Sequence, residues 1–156
     1  MIRFIDRALL DELSAEAKDS PRLRKNRNFH PGDDYPAHRL LNAAEPETYI
    51  APHCHLDAAK DETLALLRGR MGVVVFNPSG EVVATRLMQA GGECMGVDIP
   101  HGVWHTFVSL ETGTVIIEAK AGPYVPLSAA ERAPWAPAEN DAAGPSYLAG
   151  LRKLFA

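Results

Sequence analysis

Three histidines and one glutamate stand out, because imidazole and carboxylate groups bind metal ions and move protons. His53 and His55 lie two residues apart in the stretch YIAPHCH. Successive side chains on a strand point to opposite faces, so on a strand these two histidines share one face and Cys54 points away. Glu62 opens the next apolar stretch and supplies a carboxylate from the neighbouring strand. The spacing predicts most of a metal site.

The fourth candidate ligand is His105, in the segment PHGVWH. Pro100 and Gly102 are typical of a tight turn that directs this histidine inward. Counting by twos from His105 places Phe107 and Ser109 on the same interior face. Three neutral imidazoles and one carboxylate suit a divalent ion such as Zn, Fe, Ni or Mn, and ligand type alone does not select among them.

The elements outside the central region are less regular. Apolar spacing predicts a helix over residues 6–18, with Asp6 as its N-cap, and a second helix over Ser146–Phe155. Arg22 to Pro36 is polar and rich in turn residues, and the stretch His30–Asp34 within it predicts a loop. Ala37–Ala44 is compatible with either a short helix or a strand.

From Thr48 onward the chain has the period of strands, and Gly, Pro and Asn separate the segments. Many short strands with such turns predict an all-β antiparallel sandwich or barrel. Val73–Phe76 is apolar at every position, so we expect that strand to be covered on both faces. The predicted strands are Tyr49–His55, Glu62–Leu67, Met71–Phe76, Val82–Met88, Met95–Ile99, Trp104–Ser109 and Thr114–Lys120.

Length and composition favour one domain over residues 1–156: an N-terminal helix and arm (1–45), a barrel (46–125) and a C-terminal extension (126–156). The net charge of −4 gives no reason to expect nucleic acid as a partner. No apolar run has a membrane-spanning length, so no membrane partner is expected. Two cysteines do not make a disulfide framework, and we expect a cytoplasmic protein with reduced thiols.

Two motifs together resemble those of the cupin superfamily. The first is His53-x-His55 followed by Glu62 and then Gly69, and the second is Pro100-x-Gly102-x-x-His105. The resemblance implies a double-stranded β-helix, or jelly-roll barrel, with a metal bound by His53, His55, Glu62 and His105. The chain departs from the usual pattern in two ways: the interval before Glu62 is longer, and Ser109 replaces an Asn.

Longer segments also match, namely RLRKNRNFHPGDDYPAHRLLNAAEPETYIAPHCH, KDETLALLRGRMGVVVFN, GPYVP and WAPAE. Over residues 22–140 the chain resembles the cupin-fold metalloprotein family called WbuC. This resemblance implies a metal-binding cupin associated with bacterial surface-polysaccharide (O-antigen) biosynthesis. The expected partners are a small-molecule substrate, such as a sugar or sugar nucleotide, and a second copy of the chain in a homodimer.

Other polar residues are candidates for the pocket. His30 and Arg39 are the candidate catalytic residues, because their segment leads into the metal-binding strand, and Asn42 belongs with them. The alternative is a loop bonded to its own backbone. His101 is expected at the rim, and Glu118 as a charge on the sheet surface rather than a pocket acid. We expect Cys54 and Cys94 to be buried and inert.

Three functions are compatible with these residues. The first is a metal-dependent isomerase or epimerase acting on a sugar by proton transfer. The second is an Fe(II)-dependent dioxygenase, and the third is a non-catalytic module that binds a sugar or another small molecule. The sequence does not identify the substrate, and a fold does not supply one.

Overall fold

The computed structural model describes all 156 residues and contains eight strands in two antiparallel sheets. The larger sheet has the order β1-β2-β8-β3-β6, and the smaller has the order β5-β4-β7. The predicted all-β jelly-roll fold is confirmed. The strands are β1 (Arg24–Asn28), β2 (Ala37–Ala44), β3 (Glu62–Arg68), β4 (Arg70–Phe76), β5 (Val82–Gln89), β6 (Gly96–Ile99), β7 (Trp104–Ser109) and β8 (Thr114–Ala121).

The main core lies between the two sheets. Leu64 and Leu66 reach it from β3, while Met71 and Val73 reach it from β4 and Phe107 from β7. Each is less than a tenth exposed, and fully burying such a side chain contributes about 1.5–3 kcal/mol. Strand alternation puts every second side chain into this layer, as the sequence predicts for β3 and β7.

Helices cover the outer faces of both sheets. α1 (Arg7–Asp19) packs on the larger sheet, and the Asp6 carboxylate accepts a hydrogen bond from the Leu9 backbone N–H at 3.0 Å. α2 (Gly144–Arg152), continued by a 3₁₀ turn over Lys153–Phe155, packs on the smaller sheet. Both predicted helices are confirmed, with α2 beginning two residues early. No helix has the length and apolar character needed to cross a membrane.

The outer layer explains why β4 is apolar throughout. Val73 faces the space between the sheets, whereas Val74 and Phe76 face the cluster beneath α2. Both faces of the strand are therefore covered, as expected from the sequence.

β1 is a strand that the sequence reasoning missed. Arg24–Asn28 reads RKNRN, with no apolar residue, yet it pairs antiparallel with β2 and places Asn26 opposite Asn42. Arg27 forms ion pairs with Glu12 (3.0 Å) and Glu16 (2.6 Å) on α1. Pairing with β2 and contacts with α1 thus make this segment a strand although its residues have a weak intrinsic preference for β-structure. The same pairing settles Ala37–Ala44 as a strand.

The predicted strand Tyr49–His55 is wrong. Its only strand-like pairing is two isolated bridges at His53, one to His105 and one to Arg132. Pro52 has no backbone N–H to donate, and proline is excluded from the interior of a paired strand. The segment is nevertheless extended enough to present both of its histidines to the same cavity.

Gly69, in the turn between β3 and β4, provides a test of this packing. Its φ is +84°, and a Cβ there would lie 2.3 Å from Thr114 Oγ1 and 2.8 Å from Thr114 Cα. Gly91 has φ +69° and open space around it, so it is a matched control. Gly91→Ala should cost about 1–2 kcal/mol for the left-handed backbone. Gly69→Ala should cost about 1–3 kcal/mol more, because the added atom meets backbone. Urea denaturation measures both, and equal losses would contradict the packing at Gly69.

Candidate metal centre

Two backbone segments bring the histidines together. The His53 N–H donates to the His105 carbonyl at 3.0 Å, and the His105 N–H donates to the His53 carbonyl at 2.9 Å. Gly102, with φ +79°, turns the chain before β7, and its N–H donates to the His55 carbonyl at 2.6 Å. The imidazole of His53 lies 5.3 Å from that of His55 and 4.6 Å from that of His105, between ring centres.

Backbone carbonyls fix the tautomers of two of these rings. Nδ1 of His53 lies 3.0 Å from the Ala51 carbonyl oxygen, and Nδ1 of His105 lies 2.9 Å from that of Val103. A carbonyl oxygen only accepts, so both Nδ1 atoms carry the proton. In the neutral ring Nε2 then carries the lone pair, and that of His105 lies 2.8 Å from Glu62 Oε1. Ligating histidines in metal proteins are oriented in this way.

Glu62 supplies the carboxylate from the first residue of β3, where it lies opposite Ile99 of β6 and Lys120 of β8. Its side chain is 4% exposed. Oε1 lies 2.8 Å from His105 Nε2, and Oε2 lies 3.6 Å from His55 Nε2. The candidate ligand atoms of Glu62, His53 and His55 all lie within 4.8 Å of one another.

Several of these buried atoms have no hydrogen-bond partner of acceptable geometry: His55 Nε2, His105 Nε2 and Glu62 Oε1. An unpaired buried polar group is costly, and a carboxylate facing a nitrogen lone pair is more so. A cation between them removes the penalty. The residues therefore fit a divalent ion with nitrogen and oxygen ligands, of the Zn, Fe, Ni or Mn class.

The protonation states agree with this fit. Burial lowers the pKa of His53 to about 4, so its imidazole is neutral at physiological pH. Burial opposes ionisation of Glu62, but His105, His55 and Lys120 outweigh it and hold the pKa of this carboxyl below its ordinary range. Neutral imidazole and ionised carboxylate are the forms that coordinate metals.

The site opens into a cavity of about 390 Å³. His53, His55 and Glu62 line one end of it. An apolar surface made by Leu64, Met71, Phe107, Ile50 and Ile116 forms another part of the lining. This volume is in the range of pockets that hold small organic ligands.

A polar row forms the adjoining wall of the cavity. The Asn42 amide donates to Glu118 Oε2 at 2.6 Å, and Lys120 Nζ lies 2.5 Å from Glu118 Oε1. Lys120 Nζ also approaches Glu62 Oε2 at 3.9 Å, so the row reaches the candidate metal ligands. Burial by itself would lower the pKa of Lys120, but the neighbouring carboxylates of Glu118 and Glu62 have the larger opposite effect. The pKa is therefore raised above its ordinary value, and the amine stays charged.

The interpretation of Glu118 as a sheet-surface charge is wrong, because it is 6% exposed and lines the cavity. Register explains its position: Glu118 lies opposite Leu64 and Lys120 lies opposite Glu62, so both share the interior face of Glu62. The alternation of Glu118 with Lys120 was a usable signal. Asn42 also lines the cavity, as one of the two sequence alternatives predicts.

The candidate catalytic residues His30 and Arg39 do not line the cavity. His30 is buried instead against His38, with ring centres 3.9 Å apart, and its Nδ1 contacts the Arg39 backbone. Arg39 is exposed and lies over the ring of Tyr35. β2 directs alternate residues to opposite faces, and Arg39 does not share the face of Asn42.

The remaining candidates occupy three different environments. His101 is exposed, and its Nδ1 lies 2.8 Å from the Asp61 carboxylate, consistent with its expected place at the rim. Cys54 is buried, as expected, and burial raises the pKa of its thiol. Cys94 is only partly buried, because its turn between β5 and β6 is close to the surface.

A family model described as "Domain of unknown function (DUF6016)" matches residues 5–88, which is more than half of the chain. The matched region contains His53, His55 and Glu62 but ends before His105. No protein of curated function gives a significant match to the sequence.

Solved structures share the fold. KdgF from Halomonas sp. is 16% identical over 66% of this chain and 82% of its own, with a TM-score of 0.51. SPY1581 from Streptococcus pyogenes, a conserved protein of unknown function, is 10% identical over 80% and 91%, with a TM-score of 0.53. CapF, solved with the inhibitor 3-isopropenyl-tropolone, is 19% identical over 65% and 28%, with a TM-score of 0.53. At these identities the likeness establishes the architecture alone.

Metal content should depend on His55 and not on His101, an exposed histidine in the turn before β7. His55→Ala should weaken zinc binding by more than about 100-fold, because loss of an outer-shell partner alone costs 10- to 100-fold. His101→Ala should bind zinc as the unchanged protein does, since His101 is paired with Asp61 at the surface. Competition with a chromogenic chelator measures both. Equal zinc affinity in the two variants would contradict the proposed ligand set.

Removal of the metal should leave a folded protein. None of the three apolar clusters contains a candidate ligand, so burial of the core does not depend on the ion. Zinc at a free concentration of 100 times its Kd should add about 2.7 kcal/mol to the free energy of unfolding, the linkage value for one site. Circular dichroism melts with zinc and with EDTA measure this. A non-cooperative melt in EDTA would make the metal structural.

Proposed function

Given that the chain belongs to the DUF6016 family, whose description assigns no function, we propose from its own residues that it is a metal-dependent isomerase or epimerase of a sugar-type substrate. One observation carries the proposal: a divalent-metal ligand set opens into a cavity whose adjoining wall holds a carboxylate and an ammonium. Fold alone would not support it, since one fold hosts many reactions.

The chemistry that the divalent ion supplies can be separated from the chemistry of the protein's own side chains. A divalent ion held by His53, His55, Glu62 and His105 supplies Lewis-acid polarisation of a substrate oxygen. Glu118 is the candidate base, because its carboxylate lies inside the cavity. Asn42 and Lys120 each take one of its oxygens, and the lone pairs that are left can accept a proton from carbon.

The cavity walls also suit a sugar-type ligand. The apolar part of the lining packs against C–H groups, while Asn26 and Asn42 offer amide donors and acceptors to hydroxyl groups. The resemblance to the WbuC family supports a substrate from bacterial surface-polysaccharide synthesis. Proton transfer to or from a carbon next to a carbonyl accounts for both isomerisation and epimerisation with one base.

Proton exchange with solvent tests the proposal directly. Zinc-, nickel-, manganese- and iron-loaded protein is incubated in D₂O with a panel of aldoses, ketoses and sugar acids, and proton NMR follows loss of the C–H signal next to the carbonyl. We expect metal-dependent exchange. Glu118→Gln should slow it by about 100-fold or more, the contribution typical of a general base.

Asp57→Asn is the matched control, because Asp57 also lines the cavity but accepts a hydrogen bond from the Ala59 N–H, which Asn can still accept. It should leave exchange unchanged. Ligand binding without exchange would make the protein a binding module. Turnover that requires oxygen and iron would make it a dioxygenase.

A further inference from the structure

Three cationic side chains line the cavity, and they differ in what they already bind. The Arg24 guanidinium donates to Thr48 Oγ1 and to the Tyr49 carbonyl, both at 3.1 Å, and pairs with Glu139. Its donors are therefore engaged outside the cavity. It positions the chain rather than a ligand.

Lys60 is also committed to the protein. Its Nζ donates to the Ala121 carbonyl at 2.8 Å and to the Pro123 carbonyl at 2.5 Å. These bonds tie the loop before β3 to the end of β8. Lys60 therefore closes this side of the barrel and is a matched comparison for the third cation.

Lys120 contacts only carboxylates of the cavity itself. It pairs with Glu118 at 2.5 Å and lies 3.9 Å from Glu62 Oε2, which is beyond hydrogen-bond distance. An ammonium has three donors and only one carboxylate lies within hydrogen-bond distance, so Lys120, which lines the cavity, has donors available for a ligand. Its side chain is 25% exposed, which allows a ligand to reach it.

The charge of the lining defines what kind of ligand is missing. Arg24 is compensated by Glu139, and Asp57 is exposed. The charges beside the candidate metal ligands are therefore Lys120 and the buried carboxylates of Glu62 and Glu118, with a net charge of −1. A divalent ion changes this to +1. An uncompensated charge in a partly enclosed site is unfavourable, so a ligand with one negative charge is favoured over a neutral one. A phosphate with two negative charges would instead leave the site with a net charge of −1.

We propose that the cavity takes a small sugar acid or hydroxy acid with a single carboxylate, and that Lys120 binds this carboxylate beside the metal site. The inference rests on the proposed function, because it requires the divalent ion. It deepens that function by naming the substrate class. The apolar lining, including Phe107 and Ile116, contacts the carbon side of the ligand, and charge selects for the acid.

The test uses a pair of probes that differ in charge alone. Isothermal titration calorimetry compares D-glucuronate with D-glucuronamide on the zinc-loaded protein, and mass spectrometry of the same samples measures zinc content. The unchanged protein should bind the acid at least 10-fold more tightly than the amide. Lys120→Met should abolish this preference without releasing zinc. Lys120→Arg, which keeps the charge, should preserve it, and so should Lys60→Met.

Each other result has a defined meaning. Equal affinity for acid and amide in the zinc-loaded, unchanged protein overturns the inference and leaves the metal-dependent function standing. A preference that persists in Lys120→Met assigns carboxylate recognition to another residue and also overturns it. Failure of the unchanged protein to retain zinc removes the proposed function and the inference together. The comparison of probes on the unchanged protein is decisive even where a variant does not fold.

Discussion

The candidate metal site depends on a buried carboxylate that faces the nitrogens of histidine rings. Glu62 Oε1 lies 2.8 Å from His105 Nε2, and neither atom has a hydrogen-bond partner. The Val103 carbonyl holds one proton of His105 on Nδ1, so the contact between Nε2 and the carboxylate is favourable only when a second proton or a metal ion lies between them. The pairing of β3 with β8 and the hydrogen bonds between His53 and His105 prevent these groups from moving apart. A cation relieves this arrangement, whereas solvent has little access to it.

The fold sustains this local cost because its stability is located elsewhere. The main core, between the sheets, is apolar, and separate clusters lie beneath α1 and α2. Leu64 and Phe107 belong to this core, yet each is two residues from a candidate ligand on the same strand. Because side chains alternate along a strand, the same face of β3 and of β7 carries a candidate metal ligand near its end and apolar core residues further along. Functional sites commonly violate the rules that the surrounding fold obeys.

Sequence reasoning succeeded where one local rule was sufficient. His53 and His55 line one cavity, as the His-x-His spacing predicts, although their segment is extended rather than a paired strand, and the cap at Asp6 defined the start of α1. Sequence reasoning failed where a neighbouring strand determines whether a segment is a strand or which of its faces is interior. β1 carries no apolar pattern and exists because β2 and α1 hold it, while Pro52 removes a donor from an otherwise strand-like segment. The period of β8 put Glu118 on the face of Ile116, but only the register with β3 identifies that face as interior.

The cavity residues behave as one electrostatic unit, which the HxH, Glu and His motifs do not describe. Along the wall the charges alternate from Glu118 to Lys120 to Glu62 and then to the site of the cation. Loss of Lys120 would leave two carboxylates of one wall without the cation between them, and loss of the metal would leave Glu62 facing unpaired nitrogens. Each member thus sets the charge that its neighbours experience, and one further negative charge from a ligand completes the series. The residues that recognise the ligand are therefore to be sought on β8, outside the motifs that bind the ion.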